Sequence, residues 1–238
     1  MNLAEDTTFM LQQVASYFDF DRVADGYESW YNSARGTIYD RFEKQAIDRL
    51  LAGVSKHSRV LEVGCGTGQW SRYFSDKGFD VTGIDISSEM IRIARQKHIP
   101  NSRFEIADGR NLPFEDESFD GAAAITVLEF ASETERIISE MIRCVKKSKG
   151  VLIIGVLNAL SGYNKRRKSK SGSVYSSAHL FTPRQIRNLL SQYGITRIQI
   201  TGFVPEKNWM LGISTLWERL GQFLCPQKGA FIAARINL

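Results

Sequence analysis

A glycine-rich turn between a short apolar run and a helical pattern constrains this sequence more than any other feature. Residues 59–63 form the apolar run and predict a buried strand. Gly64, Gly66 and Gly68 follow at alternate positions, and aromatic residues at helical spacing begin at Trp70. Glycine allows positive φ and removes the Cβ that would hold a ligand away from the backbone. The order strand, glycine turn, helix predicts a dinucleotide turn, a nucleoside turn or a plain tight connection.

An acidic residue lies within or directly after each of the first three predicted strands. Glu62 lies inside the first strand, Asp85 ends the second at residues 80–84, and Asp108 ends the third at residues 103–107. The G-x-G-x-G spacing differs from the G-x-G-x-x-G of dinucleotide folds. Asp85 stands about 20 residues past the glycines, where a doubly wound fold places its ribose acceptor. Each acid could instead serve only as a cap or turn residue, and that alternative stays open.

Three stretches carry a resemblance to a known family: LEVGCGTG, then VTGIDISSEMIRIAR, then ADGRNLPFEDESFDGA. In this order they resemble the class I S-adenosylmethionine-dependent methyltransferases, most closely the small-molecule branch with the ubiquinone- and menaquinone-biosynthesis enzymes (methyltransferase type 11). The likeness covers residues 40–155 well and the rest loosely. It implies an α/β fold with a doubly wound, mostly parallel seven-stranded sheet and an antiparallel edge pair at residues 196–200 and 230–236. It also implies S-adenosylmethionine as the cofactor, with S-adenosylhomocysteine as its product.

The resemblance assigns roles to the acids and to the residues around them. It implies that Glu62 orders the site around the methionine ammonium, that Asp85 bonds both ribose hydroxyls and that Asp108 accepts from the adenine amine. A carboxylate suits a cis-diol because it has two acceptor oxygens. The full set of predicted cofactor residues is Tyr17, Tyr31, Glu62, Gly64, Cys65, Gly66, Gly68, Asp85, Ile86, Met90, Asp108, Gly109, Arg110 and Thr126.

Two residues are candidates for the catalytic base. Glu129 follows the fourth predicted strand, and ligands of open α/β sheets bind at the carboxyl ends of strands. His179 could act as a general base near neutral pH. The alternatives are an exposed loop carboxylate or a helix N-terminal charge for Glu129 and a hydrogen-bonded loop residue for His179. No metal site is expected, because the three cysteines lie far apart without a C-x-x-C pair.

Two segments flank the region of resemblance within what we expect to be a single domain, residues 1–238. Residues 1–36 are rich in aromatic side chains and predict an N-terminal helical cap, which in this family folds over the cofactor. Residues 158–180 predict a basic loop or lid insertion whose densest charge is the run 165–170. That run could be a solvated loop, a lid that attracts an anionic acceptor, or a nucleic-acid contact.

Composition limits the partners. The chain has 238 residues and a formal net charge of +5, which is compatible with an anionic acceptor but too small to argue for nucleic acid. The sequence shows no signal peptide and no membrane-spanning run, so a cytoplasmic protein is expected. We therefore expect methyl transfer to a small-molecule acceptor by in-line displacement. The alternatives are an RNA or protein methyltransferase using residues 165–170, and a non-catalytic S-adenosylmethionine-binding or scaffold protein. An apolar stripe within residues 209–224 predicts a core-packed or lid helix, with a dimer or membrane-surface contact as the alternative.

Overall fold

The computed structural model describes residue 16 and residues 18–238, and a seven-stranded sheet organises this part of the chain. The strands are β1 Arg59–Val63, β2 Asp80–Asp85, β3 Ser102–Ile106, β4 Gly121–Ile125, β5 Val151–Leu157, β6 Ile195–Thr201 and β7 Phe231–Asn237. Their order is β3-β2-β1-β4-β5-β7-β6; β1 to β5 are parallel, and β7 runs antiparallel to both β5 and β6. The predicted α/β fold with an antiparallel edge pair is confirmed.

Helices cover both faces of the sheet. They are α1 Ala34–Leu50, α2 Gln69–Asp76, α3 Ser88–Gln96, α4 Thr134–Cys144, α5 Gly162–Ser169, α6 Pro183–Ser191 and α7 Ser214–Leu224. Short 3-10 helices occupy Asp21–Ser29, Val174–Ser176 and Asn208–Ile213. In the described residues, no helix combines the length and the apolar character needed to cross a membrane.

The central strands are buried on both faces, which places the ligand-binding edge at their carboxyl ends. Every residue of β4 and β5 is buried. One apolar cluster packs α4 and α6 on one face, with Ile138 and Leu190 fully buried, and another packs α1 and α2 on the opposite face, with Ile47 and Phe74. This two-sided burial explains why β4 and β5 read as continuous apolar runs.

The stretch 158–180, for which the sequence predicts a loop or lid insertion, contains α5 and the 3-10 helix Val174–Ser176, which together make up 11 of its 23 residues. Polar anchors hold it in place. The Asn164 side chain, on α5, donates to the Asn158 carbonyl at 3.1 Å and to the Ala230 carbonyl at 2.7 Å. Asn158 in turn donates to the carbonyl of Gly229 at 2.7 Å. The buried contact of α5 is made by an asparagine, so the helix shows no apolar periodicity in the sequence.

The N-terminal cap is described only in part. The stretch up to residue 36 contains the 3-10 helix Asp21–Ser29 and the first turn of α1, which begins at Ala34. Ser33 caps α1 by accepting from the Gly36 N–H. Residues 1–15 and Tyr17 lie outside the described residues.

Candidate active site

A cavity opens at the carboxyl ends of β1, β2 and β4 and gathers most of the residues predicted to hold the cofactor. The predicted residues on its wall are Tyr31, Gly64, Cys65, Gly66, Asp85, Ile86, Met90, Asp108, Gly109 and Thr126. Glu62, Gly68 and Arg110 do not line it, and Tyr17 lies outside the described residues. We call this space the cofactor cavity.

The glycine turn after β1 forms the floor of the cofactor cavity. Gly64 and Gly66 have φ of +69° and +52°, a region that L side chains rarely adopt. A Cβ on Gly66 would meet nothing closer than the Met90 sulfur at 3.9 Å, so the backbone here is open to a ligand. Gly68 does not line the cavity; it caps α2 and packs against Ile99, and its predicted cofactor role stays a prediction.

Asp85 stands at the end of β2 with its carboxylate held by the backbone. Its Oδ2 accepts from the Gly66 N–H at 2.8 Å and its Oδ1 from the Ser87 N–H at 2.9 Å. Burial raises the pKa of Asp85, while these two hydrogen bonds favour the charged form. Each oxygen keeps a further lone pair for a ligand hydroxyl, as the predicted bonding of a diol requires.

Asp108 lines the cofactor cavity at the end of β3, and Arg110 holds it there. The Arg110 Nη2 lies 2.7 Å from Asp108 Oδ2, and Nη1 lies 2.8 Å from Glu133 Oε1. Arg110 is held between these two carboxylates and does not line the cofactor cavity, and its predicted contact with the cofactor stays a prediction.

Glu62 lies behind the glycine turn and away from the cavity wall. Its Oε2 accepts from the Ser71 hydroxyl at 2.5 Å, near the start of α2. Burial raises the pKa of Glu62 to about 8. In this position Glu62 fastens α2 to β1 and fixes the turn between them.

The 3-10 helix Asp21–Ser29 places Tyr27 on the wall of the cofactor cavity, and hydrogen bonds hold both of its ends. The Ser87 hydroxyl donates to Asp21, and the Thr67 hydroxyl donates to Glu28 at 2.8 Å. Glu28 also pairs with Lys97. Sequence reasoning missed these two hydrogen bonds, because isolated acids in an aromatic segment match no motif.

A second cavity of about 410 Å³ adjoins the first, and we call it the acceptor cavity. The residues lining both cavities are Phe20, Tyr27, Tyr31, Thr126 and Phe130. Thr126 has φ of +54°, which is strained for a β-branched residue and is typical of functional sites. The remaining wall includes Glu43 from α1, Arg167 from α5, and the rings of Trp30 and Tyr175.

Glu43 was missed by sequence reasoning, although a signal existed. It stands on the buried face of α1 with Tyr39, Ala46 and Leu50, where an acid is unusual. Burial raises the pKa of Glu43 to about 8, and the neighbouring Asp40 adds to the effect.

The two predicted catalytic bases lie outside both cavities. Glu129 is fully buried; its Oε1 accepts from the Leu157 N–H, and burial raises its pKa to about 7. Its backbone carbonyl accepts from the His179 N–H at 2.7 Å, while the exposed His179 ring packs edge-on against Phe181. The structure therefore does not bring His179 to either cavity, and the Glu129 carboxylate binds the backbone at the end of β5. Across the described residues no cluster of metal-ligating side chains is present.

Comparisons with known proteins agree with this geometry. A family model described as a methyltransferase domain matches residues 61–154. An uncharacterized protein of Methanocaldococcus jannaschii is 34% identical over 184 residues, which cover 76% of this chain and 83% of that protein. A phosphatidylethanolamine N-methyltransferase of Cereibacter sphaeroides is 34% identical over 143 residues, which cover 57% of this chain and 68% of that enzyme. The crystal structure of an S-adenosylmethionine-dependent methyltransferase from Thermotoga maritima has a TM-score of 0.70 at 24% identity, covering 92% of this chain and 97% of that one.

The fold and the cofactor cavity together define a Rossmann-like class I methyltransferase. The chain belongs to the S-adenosylmethionine-dependent methyltransferases, as the resemblance predicted. S-adenosylmethionine is its cofactor. The cavity suits this molecule, since carboxylates end β2 and β3 where hydroxyl and amine donors would lie, and Ile86 and Met90 offer an apolar surface to a flat ring. The individual contacts of these residues stay predictions.

Proposed function

We propose that this enzyme transfers the methyl group of S-adenosylmethionine to a small molecule bound in the acceptor cavity, by in-line displacement. One observation carries the proposal: the two cavities share a wall of five residues, with the strained Thr126 among them. A methyl donor in one cavity and an acceptor in the other would meet along this wall. Such placement converts a bimolecular step into an effectively unimolecular one.

The cofactor, when bound, supplies an activated methyl group on a sulfonium sulfur, so the chain itself needs no nucleophile. What the protein supplies is orientation and the exclusion of water. Phe20, Tyr27 and Phe130 make the shared wall largely apolar, and Tyr27 belongs to the 3-10 helix Asp21–Ser29. Water kept from the methyl group cannot compete with the acceptor.

The basic run 165–170 gives little support to an RNA or protein substrate. Arg166 pairs with Glu206 at 2.8 Å, the Lys168 ammonium donates to the Ala178 carbonyl at 2.6 Å, and Arg167 faces the acceptor cavity. These three cations contact three separate parts of the protein, so they form no continuous basic surface for a phosphate backbone. A small cavity with aromatic walls favours a small acceptor.

Calorimetric titration with S-adenosylhomocysteine tests the cofactor half of the proposal. We expect binding by the native protein, a clear loss of affinity in Asp85→Asn and none in Asp80→Asn, an exposed acid at the other end of β2. Release of S-adenosylhomocysteine during incubation with S-adenosylmethionine and candidate acceptors then tests turnover. Absence of S-adenosylhomocysteine binding by the native protein would contradict the proposal.

A further inference from the structure

We infer that the acceptor cavity takes a small amine that also carries an anionic group, with Glu43 facing the ammonium and Arg167 facing the anion. The inference rests on the proposed function and names the substrate class of the same site.

Glu43 is a buried acid without a partner. Only 6% of its surface is exposed, yet it lines the acceptor cavity. Among the described residues its carboxylate makes no hydrogen bond and no ion pair, whereas Asp40, one turn earlier on α1, is paired with Lys44. A buried carboxylate is costly unless it is paired. An ammonium group in the cavity would supply the missing donors and the opposite charge.

Aromatic rings surround the same space and suit the same ligand. Trp30, Tyr27, Tyr31 and Tyr175 all line the acceptor cavity. The negative face of an aromatic ring attracts a cation, and the attraction grows when water is excluded. Rings together with one carboxylate form a recognition site for an amine; an acceptor without positive charge would leave Glu43 unsatisfied.

Arg167 supplies the opposite charge. Its guanidinium carbon lies 3.4 Å from the centre of the Tyr175 ring, 5.1 Å from that of Tyr163 and 5.5 Å from that of Trp30. Stacking fixes the plane of the guanidinium and leaves its N–H groups at the edge, where a carboxylate or phosphate can bind in a bidentate manner. No ion pair involves Arg167 within the part of the chain that the structure describes.

Glu43 and Arg167 line one cavity, and no ion pair joins them. A ligand with a single charge would satisfy only one of them. A zwitterion satisfies both, and the volume of about 410 Å³ holds a compact one. Free amines with a carboxylate or phosphate have this chemistry, and so does the headgroup of an amine-bearing phospholipid.

Glu43 also has a place in the transfer itself. In the free protein Glu43 holds a proton near neutral pH. A bound ammonium favours the ionised form, so that proton leaves to solvent, and the resulting carboxylate then accepts the proton that the ammonium must lose before its nitrogen can react. The nitrogen lone pair then forms the N–CH₃ bond while the S–CH₃ bond breaks, its electron pair staying on sulfur in S-adenosylhomocysteine. A base with a pKa near the working pH suits this task.

Binding to the protein saturated with S-adenosylhomocysteine tests the inference without turnover. The calorimetric probes are phosphoethanolamine, which has both charges, ethanolamine, which lacks the anion, and 2-hydroxyethyl phosphate, which lacks the amine. We expect phosphoethanolamine to bind at least about tenfold more tightly than either partial probe, because each lost charge contact is worth on the order of 1.4 kcal/mol or more. Variants of Glu43 and Arg167 then test the ammonium contact and the anion contact separately.

Glu43→Gln should weaken the binding of phosphoethanolamine and of ethanolamine by about tenfold and leave the affinity for 2-hydroxyethyl phosphate nearly unchanged. Arg167→Gln should weaken the binding of phosphoethanolamine and of 2-hydroxyethyl phosphate and leave the affinity for ethanolamine nearly unchanged. Arg166→Gln, whose residue pairs with Glu206 outside the cavity, is the matched control and should change none of the three. Mass spectrometry after incubation with S-adenosylmethionine, using free phosphoethanolamine in one arm and phosphatidylethanolamine vesicles in the other, identifies the source of the amine.

The inference fails if S-adenosylhomocysteine binds but the three probes bind equally or not at all, or if Glu43→Gln leaves the preference for amines intact. In those outcomes the proposed methyl transfer to a small acceptor still stands. Failure of S-adenosylhomocysteine to bind would instead remove the proposed function.

A different observation, on the opposite end of the chain, carries a second inference. Seven of the nine exposed large hydrophobic side chains in the described residues lie between residues 208 and 224: Trp209, Ile213, Leu216, Trp217, Leu220, Phe223 and Leu224. Trp209 and Phe223 are 82% and 83% exposed. The spacing of the seven places them on one side of a continuous helical segment.

Helix α7 buries a polar face and exposes an apolar one, the reverse of an ordinary surface helix. Its inward face carries Glu218, whose carboxylate accepts from the Thr201 hydroxyl at 2.6 Å and from the Phe203 N–H at 2.7 Å. Gly221, also inward, lies against the Phe203 ring so closely that a Cβ would come within 2.3 Å of it. The polar and small residues hold α7 to the protein, and its apolar face is left to meet another surface.

We propose that this apolar face rests on an anionic lipid surface. The exposed cations Lys207, Arg219 and Lys228 flank it and have no ion-pair partner among the described residues, while the one exposed acid of the segment, Glu206, is paired with Arg166. Tryptophan, phenylalanine and leucine on one face with cations beside them are the pattern of an interfacial helix.

Sedimentation with vesicles of phosphatidylcholine containing anionic phosphatidylglycerol tests this surface. We expect the native protein to bind, the binding to weaken as salt rises, and Trp209→Ser/Phe223→Ser to reduce it by about tenfold or more. Ile195→Ser, at an exposed hydrophobic residue of β6, is the matched control and should bind as the native protein does. Absence of vesicle binding, or a dimer in light scattering that the double variant abolishes, would overturn the proposal.

Discussion

Replacing Glu43 by glutamine should make the enzyme more stable above neutral pH. Burial raises the pKa of Glu43 to about 8 from an ordinary value of 4.5. Between these two values the folded protein holds a proton that the unfolded chain has lost, so the stability of the native enzyme falls as pH rises through this window. Glutamine has nearly the same shape and carries no charge at any pH, so the variant lacks this loss.

The size of the effect follows from the shift in pKa. Each unit of pKa difference is worth about 1.36 kcal/mol, so between pH 5 and pH 8 the free energy of unfolding should fall by about 3 kcal/mol more in the native protein than in Glu43→Gln. Glu62 and Glu129, whose pKa values are also raised, are present in both proteins and cancel in the comparison. Below pH 5 the two proteins should approach the same stability.

Urea unfolding followed by tryptophan fluorescence at pH 5, 6, 7 and 8 measures this difference. Glu135→Gln, at an exposed acid of α4, serves as the matched control and should follow the native curve. If the native protein and Glu43→Gln lose stability in parallel across this pH range, then Glu43 is charged and solvated in the folded state, and our account of the acceptor cavity is wrong.

Three further changes probe the cofactor cavity. Asp85→Asn should weaken S-adenosylhomocysteine by about 10- to 100-fold in calorimetry, because a hydrogen bond to a charged group is worth about 1.5–3 kcal/mol; an unchanged affinity would remove Asp85 from the site. Gly64→Ala should destabilise the fold by about 2–4 kcal/mol in urea, since its Cβ would lie 2.3 Å from a valine side chain at φ +69°, whereas Gly53→Ala, at φ +83° with open space, should cost less; equal losses would contradict this. Thr67→Val removes the hydroxyl that donates to Glu28 and should speed release of S-adenosylhomocysteine in stopped-flow fluorescence. An unchanged release rate would show that this hydrogen bond does not limit release of the ligand.

The cofactor half of the enzyme could be predicted because its determinants are local. The turn after β1 needs positive φ, which glycine permits, and the acids at the ends of β2 and β3 stand where parallel strands deliver side chains to one edge. Side chains that act on the backbone around them, such as Thr182 with Gln185 at the start of α6, could be predicted for the same reason. Contacts between residues far apart in sequence could not be predicted: Arg110 follows Asp108 closely, but its second ion pair is with Glu133, on the far side of β4 in the sequence.

The acceptor cavity was decided by the tertiary structure. Glu43 belongs to α1 and Arg167 to α5, and no pattern within either segment indicates that the two line one space. The sequence predicted a loop around the basic run 165–170 because the buried contact of α5 is a hydrogen-bonded asparagine, which hydrophobic periodicity does not detect. The sequence alone therefore determined the fold, the family and the cofactor, which depend on backbone conformation and strand order. Only the packing of α1, α5 and the N-terminal 3-10 helix around the sheet decided which charges face the acceptor, because burial and pairing depend on neighbours that the chain brings together on folding.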